Sequence, residues 1–175
     1  ADDVDIIKTQ NNGWLMYEGG AWGGNLQTDL AIGQMYAVKM LNTRNLSVIG
    51  QRMNPSECQI TVNKGWNWIG YNGRQVTSVD NALADFDAVD GDILKGHSGV
   101  AYYDDIEWAG SIRLMEPGKG YMLKSATDGL RTFGYSTTTM AGARLGVQQL
   151  MLSTSQSMPT SFVPVDFRLY SGNAI

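Results

Sequence analysis

Four short segments of this chain occur twice in the same order, and this duplication limits the possible folds more than any other feature of the sequence. The matched pairs are Asp5–Lys8 with Asp92–Lys95, Trp22–Leu26 with Trp108–Ile112, Gly33–Lys39 with Gly118–Lys124, and Leu46–Gly50 with Leu130–Gly134. The offset between matched residues drifts gently, from 87 at the first pair to 84 at the last. An ordered series of this kind indicates two copies of one structural unit.

The second copy carries a front half to which the first copy has no counterpart. Alternation in the opening segment places four residues on one strand face: Ile60, Val62, Trp66 and Trp68. Further on, Thr77 or Ser78 can cap a short helix, and Asp80 suits the positive end of that helix. Its apolar residues have the i, i+4, i+7 spacing of one buried face: Val79, Leu83 and Phe86.

Short strands separated by glycine turns dominate the rest of both copies. The predicted strands are Gly13–Tyr17, Met35–Met40, Leu46–Gly50, Val100–Tyr103, Gly120–Lys124 and Arg131–Tyr135. The 21 glycines favour many turns over long helices. We therefore predict an all-β fold, β-sandwich or barrel-like, in which a β-rich unit is duplicated and one or two short helices are added.

The same pattern divides the chain into four parts. Residues 1–58 form a partial first copy, and residues 59–135 form a complete second copy that we expect to pack with the first as one domain. Residues 136–162 are rich in Ser, Thr and Met and are predicted to be a linker. Residues 163–175 are predicted to begin a following element.

Composition argues against several classes of function. The net charge is −4 and the 13 basic residues are scattered, so the sequence lacks the basic patch of a nucleic-acid binder. No apolar run approaches the ~18 residues of a transmembrane helix, so we expect no membrane insertion. Cys58 and His97 are the only residues of their types, which leaves no internal disulfide and no arguable Ser–His–Asp set. We therefore expect that the chain is not an enzyme.

Five motifs in order, beginning at Gly65-Trp66-Asn67-Trp68-Ile69, carry a family resemblance. They are Gly65–Ile69, Ser78–Leu83, Gly91–Lys95, Trp108–Ile112 and Leu114–Lys124. This series resembles a repeat of secreted, cell-surface proteins of Bacteroidetes and of some phage fibre-like proteins. The resemblance covers residues 60–134 and, as the back half only, residues 5–50. It implies an exported spacer or adhesive module whose partners are neighbouring domains or chains of a larger surface assembly.

An acidic run in the second copy is the best candidate for a metal site. Its carboxylates follow one another closely along the chain: Asp85, Asp87, Asp90 and Asp92. Calcium takes several oxygen ligands, which such a run can supply. The run departs from the EF-hand pattern, because Val89 stands where a ligand is needed. The alternative is a polar helix end and turn that binds no cofactor, with Asp92 as a turn residue.

Aromatic residues fall into two predicted groups. Four that match between the copies are interpreted as core residues: Trp22, Tyr36, Trp108 and Tyr121. Four others are the candidate binding residues of the surface: Trp14, Tyr17, Tyr102 and Tyr103. Because exposed aromatic rings can stack on sugar rings, a glycan is a candidate partner.

Together these features favour a non-catalytic structural or adhesive module of an exported bacterial surface protein. One alternative is a carbohydrate-binding module of a secreted multidomain enzyme, which requires an exposed aromatic platform. Another is a structural module of the phage fibre type. We expect a secreted or cell-surface location, because the resemblance is to exported proteins.

Overall fold

Strands dominate the computed structural model, which describes residues 5–26, 30–42, 44–48, 53–136 and 165–169. We call residues 5–48 the first unit and residues 53–136 the second unit. The strands of the first unit are β1 (Asp5–Lys8), β2 (Trp14–Glu18), β3 (Ala21–Gly24), β4 (Ala37–Lys39) and β5 (Arg44–Val48). Those of the second unit are β6 (Ile60–Val62), β7 (Gly65–Gly70), β8 (Thr77–Ser78), β9 (Ile93–Gly96), β10 (Gly99–Tyr103), β11 (Trp108–Gly110), β12 (Leu114–Met115), β13 (Gly120–Ser125) and β14 (Arg131–Phe133).

Helical structure in the described residues is brief. It comprises α1 (Val79–Ala82) and two 3-10 turns, Pro55–Glu57 and Ala84–Phe86. A last strand, β15 (Val165–Leu169), belongs to neither unit. The predicted all-β fold with short helices is confirmed.

Both units build their main sheet in the same strand order. The order is β3-β2-β1-β4 in the first unit and β11-β10-β9-β13-β7 in the second, with antiparallel pairing throughout. β1, β3 and β4 contain segments matched to those of β9, β11 and β13, and β2 takes the place of β10, so the two orders correspond strand for strand. The duplication predicted from the sequence is therefore a duplication of fold, and β7 is an additional edge strand of the second unit.

The small sheets also correspond between the units. In the second unit β14 pairs with β6, and its sequence match β5 pairs with β15. The remaining two-stranded sheet joins β12 to β8. The strand β15 lies in the predicted following element, residues 163–175, of which the other residues lie outside the described part. The predicted linker, residues 136–162, also lies outside it except for Ser136.

A glycine bulge recurs at the end of the outer hairpin of each main sheet. Gly24 and Gly110 have φ angles of 142° and 146°, which residues with a side chain rarely adopt. The two residues after Gly24 both donate their N–H groups to the Trp14 carbonyl, at 3.0 and 3.1 Å. The two residues after Gly110 do the same to the Val100 carbonyl, at 2.8 and 3.2 Å. A Cβ atom at either glycine would collide with that carbonyl oxygen.

The helical segment of the front half forms as its spacing predicts. The Ser78 hydroxyl accepts the Asn81 N–H at 3.3 Å and so caps α1. The three apolar residues that were placed on one helix face are all buried: Val79, Leu83 and Phe86. Burial of side chains of this size stabilises a fold by about 1.5–3 kcal/mol each, which suits a four-residue helix that packing must hold in place.

The core of the second unit lies between its main sheet and a covering layer. The inner face of the sheet contributes Leu94, Ala101, Trp108 and Leu123. The covering layer contributes Val62, Val79, Leu83, Phe86, Phe133 and Tyr135. Aromatic rings join the layers, with the Phe86 and Phe133 centroids 5.2 Å apart in an edge-to-face arrangement.

The opening segment of the front half is bent, which makes one prediction wrong. Four residues predicted to share a strand face do not share it: Ile60, Val62, Trp66 and Trp68. The first two are buried in the core, whereas Trp66 is 41% exposed and Trp68 is half-buried. A turn at Asn63–Gly65 separates β6 from β7, and the Asn67 amide closes that turn with bonds to both main-chain groups of Asn63. The turn resets the alternation, so both tryptophans of β7 lie on the outer face.

Candidate functional site

The β2–β3 hairpin of the first unit presents a pair of aromatic rings. Tyr17 and Trp22 lie opposite each other in the register of the two strands, so their side chains share a face of the sheet. Their ring centroids are 5.4 Å apart with the planes at 57°. The matched pair of the second unit, Tyr103 and Trp108, has a separation of 5.6 Å and an angle of 58°. Both units therefore build the same local geometry.

The two tryptophans differ in exposure although their local geometry is the same. Trp108 is 3% exposed and Trp22 is 44% exposed. The prediction that the matched aromatic residues belong to the core is confirmed for Trp108 and Tyr121, which are buried. It is wrong for Trp22. Tyr36 is half-buried, and its hydroxyl accepts the Ala31 N–H at 2.8 Å.

The cause of the difference is the layer that covers the second unit. The Phe86 ring lies 6.5 Å from the Trp108 ring, centroid to centroid. The main-chain N–H of Trp108 donates to the Asp80 carboxylate of α1 at 2.8 Å. Among the described residues, the first unit has no element that corresponds to α1. Trp22 thus stands in a core position of the sheet without the helix that would bury it.

The exposed pair belongs to a wider apolar surface. Strand register places Ile7, Leu15 and Val38 on the same face of the sheet as Tyr17 and Trp22. The three aliphatic side chains are half-buried, and Tyr17 is 36% exposed. We call these five residues the open face. An exposed apolar surface of this kind is typical of a binding site.

The structure does not bring the four predicted binding aromatics together. Trp14, 46% exposed, lies on the side of the first-unit sheet opposite to Tyr17, because strand neighbours alternate. Tyr102, 50% exposed, lies on the outer face of the second unit. Tyr103 is half-buried against the core. Only Tyr17 joins an aromatic pair at the surface, and its partner is Trp22, which the sequence had assigned to the core.

The acidic run also fails to converge on one point. Asp85, Asp87 and Asp90 are exposed, whereas Asp92 is fully buried. The Asp92 carboxylate accepts the N–H groups of Val89 at 2.9 Å and Ala126 at 2.7 Å. Within the described ranges no group of three or more acidic, histidine or cysteine side chains could hold a metal ion. The geometry thus gives the calcium prediction no support and favours the alternative, a polar turn.

Asp92 has a positively charged partner in the core. Arg131 donates to its carboxylate at 2.9 Å, and the guanidinium also bonds the Phe86 carbonyl at 2.8 Å and lies 3.7 Å over the Phe86 ring. In the first unit the matched Asp5 is likewise buried and accepts the Leu41 N–H at 2.7 Å. Leu41 and Ala126 hold equivalent positions after the last strand of the sheet. The aspartate that begins each matched segment, Asp5 or Asp92, therefore stabilises the same turn in both units.

A hairpin between β10 and β11 uses a further carboxylate in the same way. Asp104 accepts the N–H groups of Glu107 at 2.9 Å and Ile106 at 3.2 Å. These two hydrogen bonds, that of Glu107 first, hold the pKa of Asp104 below its usual value. Asp105 adopts a left-handed φ of 69° and accepts the Asp90 N–H at 3.1 Å. These acidic side chains shape a turn.

The first unit closes the outer edge of β7. The Gln10 side-chain amide donates to the Trp66 carbonyl and accepts the Trp68 N–H, both at 2.7 Å. Further along the edge, the Gly70 N–H donates to the Gly33 carbonyl at 2.8 Å. An unpaired edge strand is a site of unwanted strand addition, and these bonds occupy hydrogen-bonding groups along that edge. No sequence pattern had marked Gln10 or Gly33 for this role.

No protein-family model, curated protein or solved structure matches this chain. Within the described part of the chain, none of the helices combines the length and apolar character needed to cross a bilayer.

Proposed function

We propose that this chain is a non-catalytic structural or adhesive module of an exported bacterial surface protein. The joint between the units is the observation that carries the proposal. The Gln10 side chain makes two of the hydrogen bonds that a neighbouring strand would make to β7, and the Gly33 carbonyl accepts a third. The first unit therefore protects the edge strand of the second. Repeated units that each contact their neighbour suit a spacer in a long assembly.

The roles of the acidic side chains support a structural function. Asp5, Asp80, Asp92 and Asp104 each accept hydrogen bonds from main-chain N–H groups, that of Trp108 in the case of Asp80. A carboxylate with such partners stabilises a turn or a strand end. An enzyme of the glycosidase type would instead direct two carboxylates at one bond of the substrate.

Labelling of intact cells tests the proposed location. Antibodies raised against the full chain are applied to the bacterium that makes the protein, before and after the cells are permeabilised. If the module is exported, the antibodies label intact cells, and protease added to the intact cells removes that label. Labelling that requires permeabilisation contradicts the proposal. A cytoplasmic protein of the same cells is the control for cell integrity.

A carbohydrate-binding module is the second candidate, and the exposure of Tyr17 and Trp22 is the observation that favours it. Aromatic rings at a surface can stack on sugars. A thermal-shift panel of soluble polysaccharides tests it, because a ligand at a hundredfold excess over its Kd stabilises the folded state by about 2.7 kcal/mol. A shift that disappears in the Trp22→Ala variant supports carbohydrate binding. No shift with any polysaccharide favours the structural module.

A further inference from the structure

The second unit shows what belongs on the open face of the first. Its sheet places Leu94, Ala101, Tyr103, Trp108 and Leu123 at the positions that match the five residues of the open face. Four of these five are buried, and Tyr103 packs against the core. The same sheet face therefore exists in a covered and an uncovered form in one chain.

The elements that the second unit has in addition to the described elements of the first have a defined chemistry. They are the strands β6 and β7, the helix α1 and the 3-10 turn Ala84–Phe86, and together we call them the front half. β7 pairs with β13 over six residues. The helix and the 3-10 turn that follows it contribute three buried apolar side chains and one acceptor for the main-chain N–H of Trp108: Val79, Leu83, Phe86 and Asp80.

The front half of this chain is already engaged within the second unit. β7 is bonded to β13 on one side and to the first unit on the other, and Phe86 packs on Trp108. Its outer strand edge and the apolar face of its helical segment are therefore both occupied. In the first unit β4 is the edge strand of its sheet and matches β13, to which β7 pairs in the second unit.

We propose that the open face binds the front half of a further unit of this type, one that lies outside residues 53–136. A strand of the β7 type pairs with β4, and a helix of the α1 type covers Trp22 as α1 covers Trp108. The inference rests on the proposed function, since it makes the module one link of an assembly. The partner is defined by its chemistry: an aromatic-rich strand followed by a short helix with apolar residues at i, i+4 and i+7.

A peptide of residues 59–91 tests this with the full chain as receptor. In the peptide Trp66 and Trp68 are replaced by Phe; both face away from the core, so all tryptophan fluorescence comes from the receptor. Binding is measured by the fluorescence anisotropy of a dye on the peptide, so that receptors with and without Trp22 can be compared. With the parent receptor, binding is also expected to shift the tryptophan emission to shorter wavelength as Trp22 leaves water. The control peptide carries Leu83→Asp and Phe86→Asp, and it is expected to bind at least about tenfold more weakly, because it loses two buried apolar anchors.

Two receptor variants complete the test. Trp22→Ser is expected to weaken binding at least about tenfold, whereas Trp14→Ser, equally exposed on the opposite face, leaves the affinity unchanged. Loss of binding in both variants, or equal binding of both peptides, overturns the proposal. So does self-association of the chain that Trp22→Ser abolishes, because the occupant is then a second copy, or displacement of the peptide by a polysaccharide. Cell labelling is independent of these results, so failure here leaves the proposed function standing.

Discussion

Replacement of Asp92 by Asn is expected to destabilise the fold strongly. Asp92 is fully buried and accepts two main-chain N–H groups and the Arg131 guanidinium. The change keeps the shape of the side chain but removes its charge and turns one acceptor into a donor. The Arg131 side chain is itself only 13% exposed, so its charge remains buried without a full counter-charge.

The magnitude follows from that burial. Removing one partner of a buried pair costs about 3–5 kcal/mol, and we expect about 3 kcal/mol because Asn retains one acceptor oxygen. For a chain of this length each kcal/mol lowers Tm by about 2–4 °C, so the expected fall is roughly 6–12 °C. Urea unfolding followed by circular dichroism measures the free energy of unfolding directly.

Asp128→Asn is the matched control for this change. Asp128 pairs with Lys64 at 2.8 Å, as close as the Asp92 pair, but both side chains are largely exposed. Exposed pairs contribute under about 1 kcal/mol, so the control should unfold within that range of the parent chain. Equal losses in the two variants would refute the burial argument. A wild-type chain stabilised by calcium after EDTA treatment, with Asp92→Asn insensitive to calcium, would restore the metal interpretation.

Three further outcomes follow from the contacts of single side chains. The Tyr135 hydroxyl is buried and no group among the described residues bonds it, so Tyr135→Phe should raise the free energy of unfolding by about 1 kcal/mol; Tyr71→Phe, which loses a 2.9 Å bond, should not raise it. Gln10→Ala should speed amide exchange at Trp68 and leave the core amides protected, whereas Asn11→Ala in the same turn should change neither rate. The depressed pKa of Asp104 means that its hydrogen bonds are complete above its ordinary value of 3.8 and are lost as the pH falls through the lower folded value. The protection factors of the Ile106 and Glu107 amides, their exchange rates relative to unprotected amides at the same pH, should therefore fall only in that acid range. A loss of protection already at neutral pH would contradict this role.

Local signals in the sequence predicted the local structure well. Ser78 followed by apolar residues at helical spacing predicted a capped helix, and α1 has that cap and buries Val79. The matched segments indicated two equivalent units, and the strands that contain them have the same order in the two main sheets. The bulges at Gly24 and Gly110 illustrate this, since each requires a backbone angle that glycine adopts readily.

Burial could not be predicted from the same signals, because it depends on a second layer. Trp22 and Trp108 occupy equivalent positions, and the helix that covers one has no counterpart among the described residues of the first unit. That missing counterpart was visible in the sequence and was the available signal for the exposure of Trp22. The error at Trp66 and Trp68 has another cause: alternation was continued through Asn63–Gly65, where a left-handed φ of 89° at Gly65 redirects the strand.

The difference in exposure between Trp22 and Trp108 is the observation on which the proposed role of the open face depends. Incorporation of 5-fluorotryptophan gives each of the five tryptophans its own fluorine signal, and single Trp→Phe variants assign them. A soluble paramagnetic agent then reports the exposure of each ring. We predict strong broadening for Trp22, similar to that of Trp14, and little for Trp108. A Trp22 signal as protected as that of Trp108 would contradict the account, because the first unit would then be covered already.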